Sequence, residues 1–332
     1  MKELFKTIVT ALLIILTMSQ MLANQVQAQE ETLDVAVVQL VTHPSLDDIR
    51  QGIYDGLNEQ GYVEGENLTI DYQNAEGDIN ILSSIAQSVV AEEPDLIFAI
   101  TTPVTQAFQN VTNEIPIIMV GVTDPVSAGI LDDLDQPGEN ITGVSDVVSY
   151  EDQFNLLLKL KPEVKKIGMI YTTSEDNSLA ETEAARDVAE ELGLEVQIEG
   201  LASTLDMQLV AQNLSSQVDA IYVGSDNTIA SAFETLVDAT DMAGIPVFTT
   251  VDRMVEQGAL SAVAINQKDI GLLGAQVAQK VIDGENPGDI PVHFLEDLQS
   301  VVNFDTAAHL NIEISDELKA EVQDVKYRLD EE

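Results

Sequence analysis

LDVAVVQL (residues 33–40), followed by VTHPSLDDIRQGIYDGLNEQG (residues 41–61), decides the fold. The first stretch is rich in β-branched residues with turn formers beyond it, which reads as a strand. In the second, Leu46, Ile49, Ile53 and Leu57 recur at steps of three and four, and Gly61 ends the pattern. That is an amphipathic helix with a glycine stop. The alternation continues along the chain. Residues 68–72, 95–100, 115–120, 166–171, 195–199, 220–223 and 246–249 read as further strands. Residues 80–92, 103–112, 151–160, 177–192, 205–217, 228–243 and 267–283 carry helical periodicity. Strand–helix alternation at this spacing predicts an α/β protein with parallel sheets covered by helices on both faces.

Two halves are visible, 33–145 and 146–249, each long enough for its own sheet and core. The turn-rich Gln136-Pro137-Gly138-Glu139-Asn140 lies late in the first half, and no long flexible linker separates the two. The remaining residues are too few for a third lobe. Residues from about 250 to 282 are expected to join the first lobe, and 283–332 the second. Two such sheets face each other across a cleft at the carboxyl ends of their strands, where helix N-termini present free N–H groups to a ligand.

The residues at those strand ends share one character. They are Thr101-Thr102-Pro103, Gly121-Val122-Thr123-Asp124-Pro125, Tyr171 through Ser178, Gly224-Ser225-Asp226-Asn227-Thr228 and Thr249-Thr250-Val251-Asp252. Taken singly, a Ser, Thr, Asn or Asp there is an ordinary helix cap. Five such ends on one rim suggest a polar binding site. Hydroxyls and helix N–H groups suit a carboxylate, and an aspartate suits an ammonium, so an α-amino acid fits both. His43, after the first strand, reads equally as cleft wall or as plain loop.

Composition removes many alternatives. The 332 residues include 58 Asp plus Glu against 14 Lys plus Arg, a formal charge of −44, with no cysteine. Such a chain repels nucleic acid, whose binding needs clustered cations. Lack of cysteine excludes disulfides, thiolate catalysis and Cys-ligated metals. No hydrolase elbow, phosphate loop, dinucleotide fingerprint or zinc-protease motif is present. No catalytic residue, metal site or cofactor is expected, and the chain is read as a binder acting as a monomer. Asp133, Asp135 and Gly138 fit part of a calcium loop, but Pro137 occupies a ligand position. His293 and His309 read as packing or surface residues. The dispersed acidity suggests a halophilic source, because salt screens self-repulsion.

Residues 1–28 read as a cleavable export signal. Lys2 and Lys6 precede a short apolar run from Ile8 to Leu16, and Val26-Gln27-Ala28 offers a small-residue cleavage site. No lipobox cysteine follows. A periplasmic protein is expected, with outright secretion as the alternative.

Several segments carry a family likeness. They are Glu59-Gln60-Gly61-Tyr62-Val63-Glu64-Gly65-Glu66-Asn67-Leu68, Val122-Thr123-Asp124-Pro125-Val126, Asn140 through Asp146, Tyr171 through Ser178, and Ala220 through Ile229. Together they resemble the ABC-transporter substrate-binding proteins whose better-known members bind tryptophan, tyrosine or phenylalanine. The resemblance implies a type I periplasmic-binding-protein fold with three crossovers, closing on one amino acid and passing it to a membrane permease. It also implies ligand contacts from Thr101, Thr102, Thr123, Asp124, Ser174, Asn177, Ser178, Asp226 and Asn227. Thr250, from the last strand end, joins the expected rim, while Thr249-Thr250-Val251-Asp252-Arg253 departs from the family pattern. A receptor-coupled sensor is the second reading. An α/β enzyme acting on amino acids is the third; the DNA-binding regulators built on this fold lack support, since no helix-turn-helix precedes residue 33.

Overall fold

A computed structural model describes residues 32–325, so the export signal read at 1–28 lies outside the described residues. The first lobe contains β1 (Leu33–Gln39), α1 (Pro44–Glu59), β2 (Leu68–Asn74), α2 (Ile79–Ala91), β3 (Leu96–Ile100), α3 (Thr102–Gln109), β4 (Ile117–Val120) and β5 (Ile141–Ser145). The second lobe begins with α4 (Tyr150–Leu160), β6 (Lys166–Thr172), α5 (Asp176–Glu191), β7 (Glu195–Leu201), α6 (Met207–Ser215) and β8 (Ala220–Val223). It continues through α7 (Asn227–Ser231), α8 (Phe233–Asp241), β9 (Val247–Val251), α9 (Asp252–Glu256) and β10 (Ser261–Ile265).

The strands pair in parallel in the order β5-β4-β3-β1-β2 in one sheet and β10-β9-β8-β6-β7 in the other. Both are doubly wound, with the first strand between the second and third. Every residue of β3, β4, β5, β8, β9 and β10 is buried, as a sheet covered on both faces requires. The outermost β2 and β7 are mostly half-buried or exposed instead.

The chain crosses between lobes three times: after β5, after β10, and between β11 (His293–Phe294) and β12 (Gln299–Val302). β11 extends the first sheet beside β5, while β12 runs antiparallel to β10. The expected division near residue 250 therefore needs correction. β9 and β10 both belong to the second sheet, so the return to the first lobe starts with α10 (Gln267–Ile282) and runs through β11. The short run 261–265 joins that sheet as a β-strand, a continuation the sequence pattern had not shown.

α10 lies against α1 with almost nothing between them. A Cβ placed on Gly271 would stand 2.0 Å from the Ile49 carbonyl oxygen, and one on Gly52 would stand 2.1 Å from that of Lys268. Only glycine lets these two backbones approach so closely. Lys268 adds an ion pair to Asp55 across the same seam. The helix that leaves the second lobe is thereby fixed to the first.

Candidate functional site

An interlobe cavity of about 30 Å³ lies where the carboxyl ends of the two sheets meet. The first lobe lines it with His43, Ser45, Leu46 and Ile49 from the start of α1, Thr101 after β3, and Gly121 and Thr123 after β4. The second lobe adds Asn177, Ser225, Asp226 and Asn227 on the polar side, with Ala230, Val251 and Met254 on the apolar side. Asp146, on the first crossing, lies between them, and Gln267, on the second, closes the ring.

Buried polar atoms without hydrogen-bond partners concentrate here. His43 Nε2, Thr101 Oγ1, Asp146 Oδ1 and Asn177 Oδ1 all belong to lining residues, and Thr102 Oγ1 is on the adjoining one. Elsewhere among the described residues only Gln60 Oε1 and Ser261 Oγ share this state. An orphaned buried polar atom costs about 1–3 kcal/mol, so a cluster of them marks a surface shaped for something else.

Asp146 is the most telling member. Burial raises its carboxyl pKa above the ordinary range, and the hydroxyls of Thr123 and Ser225, one from each lobe, offset this in part. No ion pair reaches it among the described residues. A carboxyl shut from water without a cation is biased toward its neutral form, and an arriving cation would favour the charged one. His43 is held neutral: desolvation lowers its pKa to about 4 against the opposing pull of Asp47.

The other buried carboxylates already have partners. Asp226 accepts from the Thr172 amide (2.7 Å), the Thr172 hydroxyl (2.8 Å), the Ser178 hydroxyl (2.5 Å) and the Ile229 amide (2.8 Å). It caps α7 and ties three segments together. Glu175 holds Asn227 and Thr228 through four bonds to their amides and side chains. Burial raises both Glu175 and Asp226, and each opposes the other's charge. Glu181 accepts from the Tyr222 hydroxyl (2.9 Å) and the Ser225 amide (2.8 Å), and burial pushes its carboxyl up to about 7.

Thr101 stands apart in its backbone. Its φ of 87° and ψ of 163° fall in a region that almost only glycine occupies. Three bonds hold it there: its amide to the Val120 oxygen, and its own oxygen to the Thr105 amide and hydroxyl.

Of the residues expected from sequence, His43, Thr101, Thr123, Asn177, Asp226 and Asn227 line the cavity. Thr102, Ser178 and Thr250 are buried beside it without lining it. Ser178 instead supports Asp226, and the Thr250 hydroxyl lies 3.4 Å from Glu181. Ser174 is exposed, and Asp124 turns back to accept from the Val126 and Ser127 amides. Those two loops satisfy themselves locally, so neither side chain enters the gap. Ser225 and Val251 lie in strand-end stretches read as rim, while the sequence does not single out Asp146, Leu46, Ile49 and Met254 as site residues. The helical stripe that held Leu46 and Ile49 gave no sign that its first turn faces a ligand.

Two further features belong to the scaffold. Asp133 Oδ1 accepts from the Asp135 and Gln136 amides, closing a turn. A larger cavity of about 320 Å³ opens between α8 and α11 (Phe304–His309), where His309 pairs with Asp241 at 2.8 Å. It lies at the end where β9 begins, away from the interlobe rim.

The ABC transporter substrate binding protein family model matches residues 34–326. A tyrosine-binding protein from Clostridioides difficile is 35% identical over 294 residues, 89% of this chain and 84% of that protein. A Streptococcus pneumonia ABC domain in complex with L-Trp is 38% identical, with a TM-score of 0.86 over 89% of this chain and all of that one. A ligand-free, open structure of a substrate-binding protein with adhesive properties from Clostridium difficile is 35% identical but scores 0.69, over 90% of this chain and all of that one. The score is higher with the tryptophan complex than with the ligand-free, open structure, at matching coverage. The two parallel-sheet lobes are those of a type I periplasmic binding protein, and the chain belongs to the ABC transporter substrate-binding protein family.

Proposed function

We propose that this substrate-binding protein captures an α-amino acid with an aromatic side chain and delivers it to the permease of its ABC importer. One observation carries the reading: Asp146, shut from solvent at Oδ1, stands without a cation between hydroxyls of both lobes. A ligand ammonium supplies the missing charge. The unpartnered Thr101 hydroxyl can donate to the ligand carboxylate, while the unpartnered Asn177 Oδ1 can accept a second hydrogen bond from the ammonium. The side chain then faces Leu46, Ile49, Val251 and Met254, an aliphatic and thioether wall that suits a flat ring. The tyrosine-binding and tryptophan-complexed relatives support the aromatic class.

Capture needs no bond chemistry, and no catalytic or cofactor role is proposed. Ligand touching both lobes shifts the equilibrium toward the closed form, since only that form contacts it from both sides. The cavity of about 30 Å³ is smaller than an aromatic side chain, so holding one requires the walls to stand further apart than they do here. The protein works as a monomer in the periplasm after removal of its leader.

A thermal-shift panel followed by calorimetry tests this. L-tyrosine, L-tryptophan or L-phenylalanine at a hundredfold excess over Kd is expected to stabilise by about 2.7 kcal/mol, several degrees in midpoint. Their N-acetyl forms, lacking the ammonium, should not shift it. Equal shifts with the N-acetyl forms, or none with any amino acid, would overturn the reading.

The charge of −44 we attribute to adaptation to a saline setting. The urea midpoint should then rise between 0.1 M and 1 M salt, as the Debye length falls from about 10 Å to about 3 Å. A midpoint independent of salt would remove that explanation.

A further inference from the structure

The two elements that form the apolar wall of the cavity are joined by one ion pair. Arg253 lies in α9 between Val251 and Met254, which both line the cavity, and its Nε donates to Asp48 of the opposite lobe. Asp48 in turn lies in α1 between Leu46 and Ile49, which line the facing side. The guanidinium also binds Glu256 through both carboxylate oxygens, at 2.6 and 2.8 Å. Arg253 and Asp48 are both about three-quarters buried, with side-chain exposures of 26% and 28%. Among the described residues no other salt bridge joins the lobes. Other direct side-chain bridges, from Gln106 Nε2 to Asp176 at 2.9 Å and between His43 and Asn227, involve an uncharged partner.

The charges around this point make the arginine decisive. Asp48 faces Glu256 and Asp252 across the closing mouth, and the Arg253 guanidinium bonds to Asp48 and Glu256 at once. Remove the guanidinium and the attraction that draws Asp48 across the gap is lost. Keep it and the approach of the lobes becomes attractive, with a fork that fits carboxylates on two sides. A chain with so few cations has placed one where the lips of the apolar wall meet.

We propose that Arg253 is the clasp of the cleft: by pairing with Asp48 across the lobe boundary it holds the closed form and sets the rate at which ligand leaves. It is a positioning residue, acting through lobe closure and touching no ligand. The idea rests on capture by closure as described above, and on amino-acid binding only for the choice of probe.

Stopped-flow measurement with L-tyrosine and L-tryptophan tests it. Arg253→Gln is expected to raise the dissociation rate constant about tenfold and leave the association rate constant within a factor of two. Asp48→Asn should do the same, and the double variant should add little, because both remove one interaction. Salt separates a clasp from a local staple. In the wild type, dissociation should speed up from 0.05 M to 1 M salt as the pair is screened. In Arg253→Gln that acceleration should be largely lost, because the pair that salt screens is gone.

Small-angle scattering without ligand gives an independent reading, in which Arg253→Gln shifts the protein toward the open form. If the wild type bound no amino acid, the ligand assignment would fail while scattering still judged the clasp. A lower melting midpoint with unchanged dissociation, unchanged scattering and the wild-type salt trend would reduce Arg253 to a helix staple and overturn the proposal.

Discussion

Asp146→Asn is expected to lower amino-acid affinity by two to three orders of magnitude while leaving the fold intact. Asparagine keeps the shape and can still accept from Thr123 and Ser225, the groups that act on the carboxyl. What it removes is the charge. A desolvated ammonium left without its anion costs roughly 3–5 kcal/mol, and each 1.4 kcal/mol is tenfold in Kd.

The pH dependence has a definite sign. Burial raises the Asp146 pKa in the free protein, and an ammonium binds only the charged form. Affinity should therefore be full at pH values above that raised pKa and fall as pH drops through it, with a proton released on binding over that range. The Asn variant should show no such trend. Calorimetry in buffers of differing ionisation enthalpy reads both effects. Wild-type affinity in Asp146→Asn would end the assignment. Asp226→Asn is the instructive contrast: four donors converge on that carboxylate, so its loss should register in the melting midpoint before the binding constant.

The second large effect is a pair of opposite changes at one residue. Thr101→Gly is expected to raise the stability of the free protein by about 1–2 kcal/mol and to weaken ligand binding about tenfold. A threonine at φ 87° stores strain on the order of 1–3 kcal/mol, and glycine adopts that conformation freely. Deleting an unpartnered buried hydroxyl adds to the gain, while the extra freedom of the unfolded chain returns about 1 kcal/mol. Binding weakens because the lost hydroxyl is one the ligand would satisfy. Thr101→Ala separates the two parts, keeping the strained backbone and losing only the hydroxyl. Denaturant titration beside calorimetry checks the pair. Lower stability together with unchanged affinity in the glycine variant would mean the residue serves the fold alone.

The fold was legible wherever one physical signal dominated. Strands such as 96–100 and 117–120 stand out because parallel sheets buried on both faces demand unbroken apolar runs. The strand 141–145 did not, because Gly143 interrupts it. The structure explains the glycine: a Cβ there would stand 1.9 Å from the Met119 oxygen of the neighbouring strand. The helical stretch 228–243 splits at Ala232, whose φ of −128° and ψ of 25° leave the helix with no glycine or proline to announce it.

The site was legible in kind more than in detail. Hydroxyls and amides at strand ends do face the gap, as Thr101, Thr123 and Asn227 show. Asp146 was hidden by its surroundings in sequence. In a chain with 58 acidic residues no single aspartate attracts notice, and its value lies in what is missing around it in space. Asp124 and Ser174 had the right chemistry at the right strand ends, but Asp124 bonds within its own loop and Ser174 is exposed.

The glycine seam between α1 and α10 governs how such a molecule breathes. Two rods in backbone contact cannot slide past one another without side chains to act as bearings, so the welded pair travels as a single rigid block. Opening is then concentrated in the three short joints that follow β5, β10 and β11. Such joints would be expected to let the rim part while both floors keep their shape.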